Sequence, residues 1–384
     1  MAWGAPGSLV GTFVRTREEP RWAPDRSPAG AAAAADRIDA SAPGGPEVAP
    51  ALAVPVFVTG ALVSLLTSWL LVSRLEQVGE RLGLSEALLG VVAALAADAP
   101  EVTAAVSALA HHEQRVGAGV VIGSNVFNLA ALLGLGAVVA GRIALHRKVV
   151  VLGGVVALWI AGVCLAAVLG LMPSGVALVL ALAVFALYLL VLAERRRGLA
   201  RLPVPERWVA WLGSAVVEEE AELAVAIRPR VGTLQDAVAA AGSLVVVVGA
   251  SVAMERAAST LGERYAVPGI VVGGVVLAAI TSLPNAVAAN YLAARGRGAA
   301  MLSTALTSNN LNVIAGLLIP AVVVGLGRPS GSTTLVAAWY VGLTAAVLAF
   351  AYRDRGLRRG AGVVIIVAYV VFLAWILTSA NAGA

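Results

Sequence analysis

Two polar clusters recur at one fixed offset inside apolar segments, and few features restrict a fold more tightly. The first reads Asp98-Ala99-Pro100-Glu101, followed by Gly123-Ser124-Asn125-Val126-Phe127-Asn128. The second reads Ser282-Leu283-Pro284-Asn285, followed by Thr307-Ser308-Asn309-Asn310-Leu311-Asn312. Pro100 and Ser124 stand 24 residues apart, as do Pro284 and Ser308, and every matched pair is separated by 184. Around them, Gly90, Val91, Val92 and Ala94 recur as Gly274, Val275, Val276 and Ala278. Alanine and valine matches come easily in such a chain, whereas Pro, Ser and two Asn in one gapless register do not. A duplicated polar cluster in hydrocarbon marks a transporter built from two halves, with its site where they meet. The copies differ in one respect: the carboxylate of Glu101 is answered by the amide of Asn285.

The surrounding chain is apolar enough for this reading. With 60% hydrophobic and 13% charged residues and a mean hydropathy of +0.90, it belongs to the polytopic membrane class. Ten segments are long enough to span, at about 51–73, 82–110, 117–140, 148–170, 174–193, 236–256, 266–294, 299–326, 332–352 and 361–379. Pro100 and Pro284 fall inside the second and seventh, which are expected to be broken helices. The fold class expected is all-α integral membrane, with ten helices in two inverted five-helix repeats. Residues 1–50, rich in Ala, Pro, Gly and Arg, read as a disordered tail and not a secretory leader. The first repeat occupies 51–193, a connection 194–235, and the second repeat 236–384.

Arginine placement predicts orientation. Alternate connections hold Arg74 and Arg81, then Arg142, Arg147 and Lys148, then Arg195, Arg196, Arg197, Arg201 and Arg207. Arg295 and Arg297 follow, then Arg353, Arg355, Arg358 and Arg359. These should face the cytoplasm of a multi-pass cell-membrane protein, leaving both termini outside. Five spans precede the central connection, so the second repeat enters the bilayer in the opposite sense. The net charge of +5 therefore reports topology, and no nucleic-acid partner is expected.

Asp98 and Glu101 lie three apart, on one face of a helix. Intramembrane acids are costly and usually line an ion or proton path. The polar inventory supplies oxygen ligands of the kind that hard cations such as Ca²⁺ and Na⁺ take. It comprises Asp98, Glu101, Ser124, Asn125 and Asn128 from one copy, with Thr281, Ser282, Asn285, Ser308, Asn309 and Asn312 from the other. Any one of these Ser, Thr or Asn residues also serves as glue between helices, Asn125 and Asn309 as readily as not. His111, His112 and His146 fall in connections and read as solvated, and Cys164 reads as a packing residue. The run Glu218-Glu219-Glu220, with Trp208 and Trp211 before it, reads as an amphipathic surface helix. No Gly-x-x-x-x-Gly-Lys-Ser/Thr loop is present for ATP, and His111-His112-Glu113 lacks the His-Glu-x-x-His spacing of a metalloenzyme. The chain is not expected to be an enzyme.

At these residues the chain resembles the calcium/cation antiporter superfamily, which includes sodium/calcium exchangers. That family carries a Gly-Thr-Ser-x-Pro-Glu-like element followed by Gly-Ser-Asn-x-x-Asn or Asp in each repeat. The resemblance implies a secondary active antiporter exchanging Ca²⁺, or another cation, against Na⁺ or H⁺ by alternating access. It implies no prosthetic group: the transported ions are the bound species, and inorganic cations and the lipid bilayer are the partners. Glu101 would be the principal ligand, and backbone at Ala97 and Thr281 would supply carbonyls. Ser124, Asn128, Ser282, Ser308 and Asn312 would complete flanking sites. The family's second glutamate is Asn285 here, while Asp98 stands where a small hydroxyl residue is usual. Asp98 is expected to restore the missing charge. The alternatives are a monovalent cation/proton antiporter and a non-transporting sensor or scaffold with a degenerate ion site.

Overall fold

The computed structural model describes Met1 and residues 48–83, 86–193, 205, 207, 210–215, 231–294, 296 and 298–382. The expected N-terminal tail and most of the 194–235 connection, including its acidic run, lie outside the described residues. From Glu47 onward the chain forms one compact unit. Its first elements are α1 (Ala53–Arg81), α2 (Glu86–Ala97), α3 (Ala99–Ala110), α4 (Gln114–Ala140), β1 (Arg142–Ala144), α5 (Arg147–Val168) and α6 (Ser174–Ala193). After the connection come α7 (Leu234–Arg264), α8 (Gly269–Thr281), α9 (Leu283–Ala294) and α10 (from Gly298 to Val324). The chain closes with α11 (Gly331–Arg353), β2 (Gly356–Arg358) and α12 (Arg359–Ala382).

Among the described residues eight helices are long and apolar enough to cross a membrane, and α2 with α3, bent by 55° at their junction, makes a ninth if the pair is counted as one span. The chain is thus an all-α membrane protein, with one small addition. β1 and β2 pair antiparallel over three residues, Arg142 opposite Arg358. Runs this short carry no alternation from which a strand could be read.

Both proline segments break as expected, and in the same way. Pro100 and Pro284 have no N–H to continue the helical ladder. Asp98 takes φ −80°, ψ −5° and Ser282 takes φ −83°, ψ −4°, both in the bridge region. The flanking hydrogen bonds also match: Asp98 N to the Ala94 carbonyl, and Ser282 N to that of Ala278. The Ala96 carbonyl, to which Pro100 cannot donate, accepts instead from Ser68 Oγ on α1 at 3.4 Å. This corrects one expectation, since Asp98 is the break itself and does not share an unbroken helix with Glu101.

Helix α4 is the centre of the bundle, 89% buried over its apolar window, against 28% for α1 and for α7, which lie along each other at the periphery. Close approach sets how α4 meets α8: a Cβ on Gly123 would sit 2.4 Å from the Gly274 carbonyl oxygen. Helices α4, α8 and α10 each widen into π-helix, at Leu129–Gly134, Val272–Leu277 and Asn312–Leu318. At one end of the bundle the β1–β2 ladder draws together two basic connections, at 142–148 and 353–359. An ion pair between Arg74 and Asp236 at 2.6 Å joins the last turns of α1 to the first turn of α7.

Candidate functional site

The two breaks and the middles of α4 and α10 meet in the interior. Asp98, Glu101, Ser124, Asn128, Ser282, Ser308 and Asn312 are completely buried, and Asn285 nearly so. Asp98 Oδ1 accepts from Asn285 Nδ2 at 2.6 Å and from Ser308 Oγ at 2.7 Å. Glu101 accepts from Ser282 Oγ at 2.5 Å and from Asn312 Nδ2. Each carboxylate of the first copy is therefore held by donors of the second.

These contacts fall into pairs related by the offset of 184. Glu101 corresponds to Asn285 and Ser282 to Asp98, so Glu101–Ser282 and Asp98–Asn285 are images of one another. Asn125 Nδ2 donates to the Asn309 carbonyl at 3.0 Å, and Asn309 Nδ2 returns the bond to the Asn125 carbonyl at 3.2 Å. Asn128 Nδ2 reaches Asn309 Oδ1 at 3.1 Å, and Asn312 Nδ2 reaches Asn125 Oδ1 at 3.3 Å. The correspondence fails at the extra acid. Asp98 draws Ser308 to itself, whereas Ser124, the partner position of Ser308, has a hydroxyl that no group hydrogen-bonds.

Four buried oxygens of this cluster have no hydrogen-bond partner: Asp98 Oδ2, Ser124 Oγ, Asn128 Oδ1 and Asn312 Oδ1. Leaving a buried polar atom unsatisfied costs about 1–3 kcal/mol. Every one of the four is an oxygen, the donor type that a hard cation takes. Among the described residues no group of three or more His, Cys, Asp and Glu could hold a metal. Any cation here would thus be shared between two carboxylates and neutral oxygens.

Ala97 is half-buried at the last position of α2, immediately before the break. Thr281 is buried, but its hydroxyl donates to the Leu277 carbonyl of its own helix at 2.9 Å, leaving its backbone as the contribution that the resemblance implied. Cys164 is buried in α5. His111 is exposed yet bonded, through Nδ1 to the Ser107 carbonyl and through Nε2 to Arg256.

Two features escaped the sequence. Asn310 is buried with an unpartnered Oδ1, and its counterpart at the offset is Val126, so the repeat gave no signal. Glu255 of α7 is buried against Ser107, and its counterpart is Leu71.

Comparison with known proteins adds to this geometry. The family described as sodium/calcium exchanger protein matches residues 52–194 and 236–378. A protein of Alkalimonas amylolytica named "Putative antiporter CaxA" is 33% identical over 84 residues, which is 22% of this chain and 26% of that relative. The chain therefore spans about a quarter of the length of that relative. In fold, the chain is similar to the crystal structure of the H⁺/Ca²⁺ exchanger CAX, with a TM-score of 0.62 at 14% identity over 84% of this chain and 82% of that one. It is also similar to the sodium-calcium exchanger NCX_Mj, with a TM-score of 0.56 at 20% identity over 85% of this chain and 99% of that one.

Proposed function

The chain belongs to the sodium/calcium exchanger family, and on that premise we propose that it is a secondary antiporter moving Ca²⁺ against Na⁺ or H⁺. Membership makes it a membrane ion antiporter and not an enzyme; the cargo and the coupling ion are the proposal. One observation carries it: two fully buried carboxylates, one with an unpartnered oxygen, converge with three unpartnered neutral oxygens where the halves meet. Asp98 and Glu101 would supply the charge. Ser124, Asn128, Ser282, Asn285, Ser308 and Asn312 would supply neutral oxygens, with carbonyls from Ala97 and Thr281. The amides now donating to the carboxylates would turn their oxygens toward the ion, since an amide presents either end.

In this reading the ten-helix arrangement is two inverted repeats, 51–193 and 236–384, about the site. The exchange of hydrogen bonds under the 184 offset supports it, as do the matched breaks at Asp98 and Ser282. Basic connections drawn together at one end of the bundle support a cytoplasmic placement for that end and an outside placement for both termini.

The test is reconstitution in liposomes, with radioactive Ca²⁺ uptake followed under opposed Na⁺ or pH gradients. Uptake driven by one gradient and lost in Glu101→Gln is expected. A folded protein that moves Ca²⁺ under neither gradient overturns the Ca²⁺ assignment, and flux of monovalent cations alone would replace it with the monovalent cation/proton reading.

A further inference from the structure

A second polar cluster lies away from the site, where α7 meets α3 and the turn before α4; Ser107, Glu255 and Ser259 are buried in it, Glu113 is half-buried and His111 is exposed. Ser107 Oγ of α3 donates to Glu255 Oε2 at 2.7 Å. Ser259 Oγ of α7 lies 2.6 Å from Glu113 Oε2 and 3.2 Å from Glu255 Oε1. Arg256 Nη2 lies 2.8 Å from His111 Nε2. These bonds tie the peripheral α7 to the rest of the bundle. Six residues separate Ser107 from Glu101, about 9 Å along a helix, so the cluster is distinct from the cation site.

Counting protons makes the arrangement specific. The Ser259 hydroxyl has one hydrogen and two carboxylate oxygens in reach, while the Ser107 hydrogen is already used on Glu255 Oε2. With both acids ionised, one O···O contact has no hydrogen and two negative charges face each other across a single hydroxyl. One added proton completes the chain, with Ser259 donating to Glu113 and Glu255 Oε1–H donating to Ser259. We propose that Glu113 and Glu255 share one proton and form a proton-operated latch that fixes α7 to α3 and the 111–113 turn.

The charged groups around the pair are His111 on the α3 side, Arg256 on α7 itself, and Glu263 one helix end away. Burial raises the Glu113 carboxyl above its usual range; Ser259 opposes this, Glu263 adds to it and His111 opposes it. On its other side α7 meets α1 near Glu255 through Gly60 against Ala250 and Met254, which bring no titratable group; the Arg74–Asp236 pair lies at the far end of α7, 19 residues from Glu255. The sign follows from the proton count: the latch is complete at low pH and opens as rising pH removes the shared proton. Its effect on exchange rate rests on the antiporter reading, whereas the latch does not.

The test uses the full chain in lipid nanodiscs and needs no cation. Infrared spectra should contain a protonated carboxylic-acid band that is absent from Glu255→Gln and that disappears from wild type as pH is raised. Spin labels at Val245→Cys on α7 and Leu171→Cys in the α5–α6 turn should give a narrow distance distribution at low pH that shifts or broadens at high pH. Glu255→Gln, whose amide donates to Ser259 and accepts from Ser107, should keep the low-pH distribution throughout. Glu255→Ala should show the high-pH one throughout. No carboxylic-acid band attributable to Glu255, or a Glu255→Gln distribution that still follows pH as wild type does, overturns the latch. Because both readouts omit transport, an absence of Ca²⁺ flux would count against the antiporter reading alone.

Discussion

Asp98 and Asn285 divide a role that the two copies would otherwise share. At the offset, Asp98 matches Ser282 and Glu101 matches Asn285, so both negative charges come from the first half. The 2.6 Å contact between Asp98 and Asn285 puts the extra carboxylate beside the position that lost one. If charge count governs binding, Asp98→Ser should weaken Ca²⁺ affinity on the order of a hundredfold, about as much as Glu101→Gln. Adding Asn285→Glu to Asp98→Ser should recover most of it, and calorimetric titration measures all three. Unchanged affinity in Asp98→Ser would reject the compensation. The reciprocal amides invite a second measurement. Asn125→Ala takes the side-chain donor from the Asn309 backbone carbonyl and an acceptor from the Asn312 amide in a dry interior, and should cost about 1–3 kcal/mol of stability. The double variant with Asn309→Ala should lose close to the sum of the single losses, because each side chain bonds the other's backbone carbonyl and the two bonds are separate. Most of this residue set was legible from the duplicated motif alone. The clamp between Asn125 and Asn309 was not, because an amide gluing helices and one facing an ion have the same composition.

Among elements, the prolines were the clearest signal, since a missing N–H has the same consequence in any context. Pro100→Ala restores that donor, which would compete with Ser68 for the Ala96 carbonyl and straighten the 55° bend. Its expected outcome is loss of Ca²⁺ binding without loss of melting temperature, a combination that separates a displaced site from a damaged fold. Gly123→Ala should do the reverse first. Its Cβ has nowhere to go against the Gly274 backbone, and overpacking of this kind costs about 1–3 kcal/mol. Thermal unfolding in detergent would register it. The π segments were not legible, because a π turn differs from an α turn in hydrogen-bond register and not in residue type. One pair matches across the halves, Leu129–Gly134 against residues 313–318, whereas the π turn Val272–Leu277 of α8 corresponds to an α-helical stretch, residues 88–93.

For the molecule as a whole, hydropathy and one offset gave the class, the positions of most spans and the two broken segments. The ladder between β1 and β2 was hidden, since six residues of sheet carry no periodic pattern. So was the latch, because Glu255 has no counterpart in the first half. The lengths of α1 and α7 were underestimated, because charged residues extend both helices beyond their apolar stretches. At 29 and 31 residues they run about 44 and 46 Å, against a hydrocarbon layer of about 30 Å. Fewer than a third of the residues in the apolar stretch of each are buried, so away from their mutual contact they are the helices most open to lipid. Helices longer than the bilayer lean over or project beyond it, and the cost changes with membrane thickness. Reconstituted in lipids of graded acyl-chain length, the protein should exchange ions at rates that depend on thickness, with Glu101→Gln as the leak control. A flat dependence would mean that α1 and α7 keep one tilt throughout the transport cycle. Lipid composition would then act on this protein as a mechanical setting, adjustable without any change in either ion gradient.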